Sequence, residues 1–243
     1  MQVSLLGLGT VKLGRHQQVK YPDPFVVPDD RAAATLLNRA RELGVNLIDT
    51  APAYGSSEER LGTLLRNSRR EWIICSKVGE EFDGATSRFD FTPEHVQFSV
   101  RRSLQRLSTD YLDVVLIHSD GNDVEILDGL GTLEALRDLK QQGCIRSVGI
   151  SHKTVAGAER ALALDVEVIM ATLNRSEPEQ AELIAKAGAQ SCGVLIKKPL
   201  ASGQGTPENL AWVAAHSGVS SIVTGTIDPD HLIANAAALA ASG

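Results

Sequence analysis

The stretch LGLGT, residues 6–10, decides between two possible α/β folds. An open doubly wound sheet typically carries G-x-G-x-x-G between its first strand and the helix that follows. Here the glycines are followed instead by a long loop, Val11–Asp29. Because short β-branched runs and amphipathic segments also alternate along the rest of the chain, the sequence favours a closed (β/α)8 TIM barrel.

The alternation predicts eight strands and eight helices. The strands are expected at Val3–Leu8, Val45–Ile48, Trp72–Ser76, Leu112–Ile117, Ile145–Ile150, Val166–Leu173, Gly193–Ile196 and Ser220–Val223. The helices are expected at Asp30–Leu43, Ser57–Leu65, Pro93–Leu107, Ile126–Gln142, Thr154–Ala163, Pro178–Ala187, Glu208–His216 and Pro229–Ala240. Eight units of about 30 residues fit the chain. A single barrel domain over residues 1–243 is therefore predicted.

Composition limits the class of partner. The formal net charge of −6 is unfavourable for nucleic-acid binding, which needs basic surface. The N-terminus lacks a basic leader region, and no apolar run approaches the roughly 20 residues of a membrane span. We therefore expect a soluble cytoplasmic protein with a small-molecule partner. The three cysteines lack metal-site spacing and are expected to be core thiols; they are Cys75, Cys144 and Cys192.

The Val11–Asp29 loop is too long to be a plain connector. It contains Lys12, Arg15 and Lys20 together with three prolines. Two interpretations stay open, a cover over a ligand and an ordered surface loop.

Four polar residues stand at or just beyond the carboxyl ends of successive predicted strands. Asp49 ends NLID, Tyr54 follows in TAPAYG, Lys77 ends WIICSK and His118 ends DVVLIH. Since the active site of a barrel is assembled at these strand ends, the four side chains are expected to converge. Singly, each also has a structural explanation, as a loop cap, a packing aromatic, a solvated strand end or a hydrogen-bonded core histidine.

As a group, the four residues suit acid–base chemistry on a carbonyl. A phenol has an ordinary pKa near 10, and an adjacent ammonium lowers it. We expect Lys77 to lower the pKa of Tyr54 in this way, with Asp49 keeping Lys77 charged and oriented. His118 is expected to donate a hydrogen bond to the substrate carbonyl.

Several segments resemble successive motifs of the aldo-keto reductase superfamily. They are GVNLIDTAPAYGSSEERLG (44–62), SLQRLSTDYLDVVLIHSD (103–120), IRSVGISH (145–152), KKPLASG (197–203) and GVSSIVTGTIDPDHLIAN (218–235). The resemblance implies a barrel, an extended nicotinamide cofactor across the strand ends and a tyrosine proton donor. It also implies that Asp49, Tyr54, Lys77 and His118 form the catalytic tetrad.

The same resemblance assigns a nicotinamide subsite in which several residues depart from the family pattern. Ser151 is the expected serine, but His152 replaces an asparagine and Met170 a glutamine. Lys197 stands where a tyrosine often stacks on the ring, and its aliphatic stem can cover the ring instead. Gly9, Thr10 and Asp49 complete this part of the predicted cofactor site.

The segment GTIDPDHLIAN, residues 225–235, resembles the part of the family that holds the adenosine side of the cofactor. Thr226 and Asn235 match expected positions, whereas Gly225 and His231 replace the lysine and arginine that often bind the 2′-phosphate. Asp228 can repel that phosphate or bind a ribose hydroxyl. The family favours NADP(H), and NAD(H) stays an alternative.

Two functional hypotheses follow. The first is an oxidoreductase acting on a small carbonyl or alcohol, supported by the complete tetrad. The second is a regulatory subunit that binds the cofactor without useful turnover, suggested by the substitutions His152 and Met170 and by the weakened phosphate site. No metal site is predicted, and the sequence does not decide the oligomeric state.

Overall fold

The computed structural model describes residues 2–19, 21–22 and 24–241. Its strands are β1 (Leu6–Gly9), β2 (Leu47–Asp49), β3 (Ile73–Val78), β4 (Glu80–Phe82), β5 (Ser87–Phe89), β6 (Leu112–His118), β7 (Ile145–Ser151), β8 (Val168–Thr172), β9 (Gly193–Lys197) and β10 (Ser221–Gly225). Eight of them close into a parallel barrel in the order β1-β10-β9-β8-β7-β6-β3-β2, while β4 and β5 form a separate antiparallel hairpin. The predicted (β/α)8 barrel is confirmed.

Helices surround the barrel, and their ranges follow the predicted ones closely. Within the described residues they are α1 (Asp30–Glu42), α2 (Ser57–Leu64), α3 (Pro93–Arg106), α4 (Asp123–Asp128), α5 (Thr132–Gln141), α6 (Val155–Ala163), α7 (Ala181–Ala189), α8 (Glu208–Ala214) and α9 (Pro229–Ala240). The α3 start is confirmed, because the Thr92 side chain accepts a hydrogen bond from the backbone N–H of His95. At α9 the Asp228 side chain accepts from the N–H of Asp230 in the same way.

The eight barrel strands are largely apolar on both faces, as expected for a parallel sheet covered by helices. One face packs beneath the helices in the main core. The other face fills the barrel interior with a smaller cluster, consisting of Leu47, Cys75, Val114, Leu116, Val168, Met170, Leu195 and Val223. The barrel is therefore a packed core, and its strand ends carry the polar residues.

Two elements differ from the sequence prediction. The single helix expected at Ile126–Gln142 is divided into α4 and α5, because Gly131 adopts a left-handed φ of 70° directly before α5. The hairpin β4–β5 was not predicted within the loop after β3. It is short, with Glu80 opposite Phe89 and Phe82 opposite Ser87.

The Val11–Asp29 loop contacts strand-end segments on both sides of β1. On one side the Arg15 guanidinium donates to the Ala53 carbonyl oxygen at 3.0 Å and lies 3.6 Å from the Phe82 ring centroid. On the other side a Cβ at Gly225, the last residue of β10, would lie 2.7 Å from Tyr21 Oη. Lys20, named in the sequence prediction for this loop, lies outside the described residues.

None of the helices in the described part of the chain has the length and apolarity that crossing a membrane requires.

Candidate active site

The barrel brings the four predicted catalytic residues to one end of three neighbouring strands. Asp49 is the last residue of β2, Lys77 lies one residue before the end of β3, and His118 is the last residue of β6. The strands β2, β3 and β6 are adjacent in the barrel, so these side chains share one sector of its mouth. Tyr54 enters the same sector from the loop after β2, with its ring centroid 6.2 Å from that of His118.

Lys77 is the buried centre of this cluster. Its side chain is 1% exposed, and Nζ donates to Asp49 Oδ1 at 2.5 Å and to the Thr50 carbonyl oxygen at 2.8 Å. Burial acts to lower the pKa of Lys77, but the negative charge of Asp49 opposes it and the net pKa is raised. Lys77 is thus a fixed ammonium at neutral pH.

A buried hydroxyl network fixes the backbone of Asp49. The Thr10 amide and the Thr10 hydroxyl both donate to the Asp49 carbonyl oxygen at 2.9 Å. The Ser57 hydroxyl in turn donates to Thr10 Oγ1 at 2.9 Å. Thr10, whose cofactor contact stays a prediction, therefore anchors the main chain of the residue whose carboxylate pairs with Lys77.

The expectation that Lys77 lowers the pKa of Tyr54 below its ordinary value was wrong in its net result. Lys77 Nζ lies 4.7 Å from the Tyr54 ring centroid, and its charge does act to lower the pKa. Burial of the phenol is the larger effect, however, and the pKa of Tyr54 is raised overall. In the free protein the phenol keeps its proton at neutral pH.

His118 is a neutral imidazole in this environment. Burial, followed by the positive charges of Lys77 and Lys197, lowers the pKa of His118 well below its ordinary value. Its Nδ1 lies 3.0 Å from Glu80 Oε2, a partner that was not predicted. A possible signal was the Gly-Glu-Glu sequence two residues after Lys77, which places a carboxylate close to the strand end.

A second polar cluster, formed by Ser151, His152 and Lys197, lies beside the first. His118 pairs with Ser151 in the sheet register, and Lys197 Nζ donates to Ser151 Oγ at 2.9 Å and to the His152 carbonyl oxygen at 2.7 Å. Burial, with nearby Lys198 as the next cause, lowers the pKa of Lys197 to about 7. Burial likewise lowers the pKa of His152 to about 4.

The imidazole of His152 lacks hydrogen-bond partners among the described residues. The residue is 0% exposed, and neither Nδ1 nor Nε2 makes a hydrogen bond of good geometry, although the Thr154 backbone lies close enough to raise the pKa of the ring slightly. Such a pair of buried polar atoms costs free energy unless a ligand or water satisfies it. The observation fits a polar group of a cofactor in this place.

Met170 lies inside the barrel, whereas Ser151, His152 and Lys197 of the predicted cofactor site lie at the strand ends. It is 2% exposed and packs in the barrel interior with residues such as Leu116 and Leu195. Thr172, two residues further along β8, is the residue that pairs with Lys197 at the strand end. A cofactor contact by Met170 stays a prediction.

The predicted adenosine-side residues begin at the paired strand ends of β1 and β10, where Gly9 lies opposite Gly225. The Asp228 amide donates to Thr226 Oγ1 at 3.0 Å, which shapes the turn before α9. His231 Nε2 lies 3.8 Å from Asp228 Oδ2 at the exposed start of that helix. Asn235, by contrast, is buried, with 4% exposure.

Known proteins share this fold and are similar in sequence over much of the chain. The solved structure of PA4992 from Pseudomonas aeruginosa, a protein assigned to the aldo-keto reductases, has a TM-score of 0.91 and 48% identity, covering 99% of this chain and 90% of that one. L-galactose dehydrogenase of Arabidopsis thaliana is 33% identical over 227 residues, 86% of this chain. D-arabinose 1-dehydrogenase of Saccharomyces cerevisiae is 40% identical over 129 residues, 51% of this chain.

The matched regions make up 66% of the Arabidopsis enzyme and 37% of the yeast enzyme, less than two thirds of either relative. The sequence model of the aldo/keto reductase family matches residues 5–210, which is most of the barrel. The chain therefore belongs to the aldo/keto reductase family.

Proposed function

We propose that this protein is an NAD(P)(H)-dependent oxidoreductase that interconverts carbonyls and alcohols, with Tyr54 as proton donor. The observation that carries the proposal is the buried Lys77 ammonium, which lies 2.5 Å from Asp49 Oδ1 and 4.7 Å from the Tyr54 ring centroid. A fixed cation beside a buried phenol stabilises the negative charge that forms on the phenol oxygen when it gives up its proton.

The four residues divide the chemistry between them. Tyr54 Oη passes its proton to the carbonyl oxygen during reduction and recovers one during alcohol oxidation. Lys77 stabilises the resulting phenolate, and Asp49 keeps Lys77 in place. His118, edge-on to Tyr54 with an interplanar angle of 87°, positions the substrate oxygen. A bound nicotinamide cofactor supplies or accepts the hydride.

Ser151, His152 and Lys197 are the residues that would hold the nicotinamide end. The unpaired His152 nitrogens offer both a donor and an acceptor to an amide group, as a neutral imidazole does. We propose NADP(H) as the favoured cofactor on the basis of the family, with NAD(H) as the alternative. The alternative is supported by Gly225 and His231, because neither provides a permanent positive charge for a 2′-phosphate.

The proposed substrates are aldehydes, ketones and sugars. The sugar class is supported by the names of two relatives, which act on L-galactose and D-arabinose. Both names describe oxidation at a sugar hydroxyl, so alcohol oxidation is proposed alongside carbonyl reduction.

The test replaces Tyr54 by phenylalanine, which removes the proton donor and keeps the ring. We expect turnover of the best substrate in a panel of aldehydes, ketones and sugars to fall by at least about 100-fold. Dissociation constants for NADPH and NADH, measured by fluorescence titration, should be unchanged. The wild-type constants also show which cofactor is preferred. Equal turnover by Tyr54→Phe and wild type would refute the role of Tyr54.

The same experiment separates the enzyme from the alternative, a regulatory protein that binds the cofactor without turnover. Tight cofactor binding by wild type with no turnover on any panel member would support the regulatory protein. Turnover that depends on Tyr54 would exclude it.

A further inference from the structure

Glu80 is a partly buried carboxylate beside the predicted catalytic tetrad, and three groups contact it. Ser87 Oγ donates to Glu80 Oε1 at 2.6 Å, and an Arg15 guanidinium nitrogen lies 3.5 Å from the same oxygen. The other oxygen, Oε2, lies 3.0 Å from His118 Nδ1. The Glu80 side chain is 14% exposed, so solvent screens these contacts only in part.

The contacts come from separate segments of the chain. Glu80 begins β4, Ser87 begins β5, Arg15 belongs to the Val11–Asp29 loop and His118 ends β6. The Arg15 guanidinium also stacks on the Phe82 ring at 3.6 Å, which ties the hairpin to the loop. Glu80 is therefore fixed in position and is unlike a solvated surface acid.

We propose that Glu80 is a positioning residue that holds His118 in the tautomer with the proton on Nδ1, leaving the lone pair on Nε2. This inference rests on the proposed function. A carboxylate has only acceptor sites, so it repels an unprotonated Nδ1 and attracts a protonated one. The angle at the ring nitrogen is not that of a hydrogen bond, so at 3.0 Å the preference is electrostatic.

Charged groups from several elements act on His118, and Glu80 is the anion next to its ring. The cations are Lys77 on β3, Lys197 on β9, Lys153 after β7 and Arg15 in the Val11–Asp29 loop, and all four oppose protonation of the ring. His118 therefore stays neutral at neutral pH, and Glu80 decides which nitrogen carries its single proton.

This tautomer changes the role expected of His118. A neutral ring with its proton on Nδ1 cannot donate from Nε2; it accepts there. Nε2 can take a hydrogen bond from the hydroxyl of an alcohol substrate or of Tyr54. His118 then assists removal of a proton from the alcohol, in place of donating to a carbonyl as the sequence predicted.

The test reads the tautomer directly in the cofactor-free protein. Two-dimensional ¹H–¹⁵N spectra of the histidine rings, assigned with His118→Gln, distinguish a protonated nitrogen from one with a lone pair. We expect protonated Nδ1 in wild type. In Glu80→Gln the amide oxygen can keep the Ser87 contact while its NH2 group faces Nδ1, so the proton should move to Nε2. Asp83→Asn, in the exposed turn of the same hairpin, is the matched control and should leave the spectrum of His118 unchanged.

Kinetics provide the second readout. We expect Glu80→Gln to lower kcat for alcohol oxidation about tenfold with little change in KM, and to shift the His118 limb of the pH profile to lower pH. A wild-type His118 protonated on Nε2 would overturn the proposal, as would the same tautomer in wild type and Glu80→Gln. The spectra need no turnover, so the tautomer of His118 can be determined even if the protein proves not to be an active oxidoreductase. The two proposals can therefore fail independently.

Discussion

Two lysines in the same barrel mouth have opposite pKa shifts because their partners differ. Lys77 faces the Asp49 carboxylate at 2.5 Å, and its pKa is raised although burial acts to lower it. Lys197 is also largely removed from water, but its Nζ donates to two neutral oxygens, Ser151 Oγ and the His152 carbonyl oxygen, and its pKa falls to about 7. The sign of each shift thus depends on whether a carboxylate is in direct contact, as for Lys77, or burial and neighbouring cations such as Lys198 dominate, as for Lys197.

Lys197 should make stability depend on pH. Between its folded pKa of about 7 and its ordinary value of 10.5, the unfolded chain binds a proton that the folded chain does not. Stability therefore rises with pH across this window, and the penalty is largest below pH 7. We expect Lys197→Met to be more stable than wild type at pH 7, with a smaller difference at pH 10, in urea unfolding experiments. Lys186→Met, an exposed lysine on α7, is the control; a constant difference between Lys197→Met and wild type would contradict the assignment.

Residue types at strand ends predict the convergence of three of the four site residues. Asp49, Lys77 and His118 each end or nearly end a run of apolar residues, and parallel strands bring such ends together. The pKa of Tyr54 could not be predicted, because its direction depends on how much burial outweighs the Lys77 charge. The contact between Glu80 and His118 joins residues whose proximity depends on an unpredicted hairpin.

Among the elements, α2 packs so closely on the end of α3 that one position must lack a side chain. A Cβ at Gly62 would lie 2.0 Å from the Arg106 carbonyl oxygen, well inside van der Waals contact. Glycine inside a helix costs about 0.5–1 kcal/mol relative to alanine. Close packing of the two helices therefore overrides helix propensity at this position.

Gly62→Ala tests which of these effects is larger. Propensity alone predicts a small gain in stability, but we expect a loss of about 1–3 kcal/mol because the helices must separate. The measurement is the free energy of unfolding in urea. Thr63→Ala, at the neighbouring exposed position, raises propensity without a clash and should be neutral or slightly stabilising. A stabilised Gly62→Ala would show that the interface accommodates the methyl group.

The elements that were predicted correctly have local chemical signals, whereas those that were missed depend on longer-range contacts. Thr92 before Pro93 and Asp228 before Pro229 mark helix starts that the structure reproduces. The break between α4 and α5 depends on the left-handed conformation of Gly131. The spacing of apolar residues along the sequence does not indicate this conformation. The hairpin β4–β5 is mostly polar and short, and therefore lacks the apolar alternation by which strands are recognised.

At the scale of the whole molecule, the Val11–Asp29 loop connects segments that the barrel holds apart. Arg15 is 7% exposed and reaches the loop after β2 and the hairpin after β3. Tyr21 lies against the end of β10, and burial raises its pKa to about 12. The loop thus lies at the rim of the barrel mouth, and both of its interpretations, a cover over a ligand and an ordered surface loop, stay predictions.

Arg15→Ala should loosen this loop without unfolding the barrel. The Arg15 amide donates to the Val11 carbonyl oxygen at 2.9 Å, and we expect hydrogen exchange at residues 13–15 to become about tenfold faster. Strand amides such as those of β6 should keep their protection, as measured by exchange and mass spectrometry. Arg39→Ala, on the exposed face of α1, serves as the control. Unchanged exchange in the loop of Arg15→Ala would show that other contacts hold it.

The pairing of β1 with β10 has a consequence for synthesis on the ribosome. Leu6 lies opposite Ile222, so the barrel closes only when residues 216 positions apart in the chain meet. Until β10 has emerged, β1 has an open edge beside a nearly complete apolar sheet, and such edges template association between chains. Translation speed near the last strand therefore sets how long the nascent protein is exposed to misassembly.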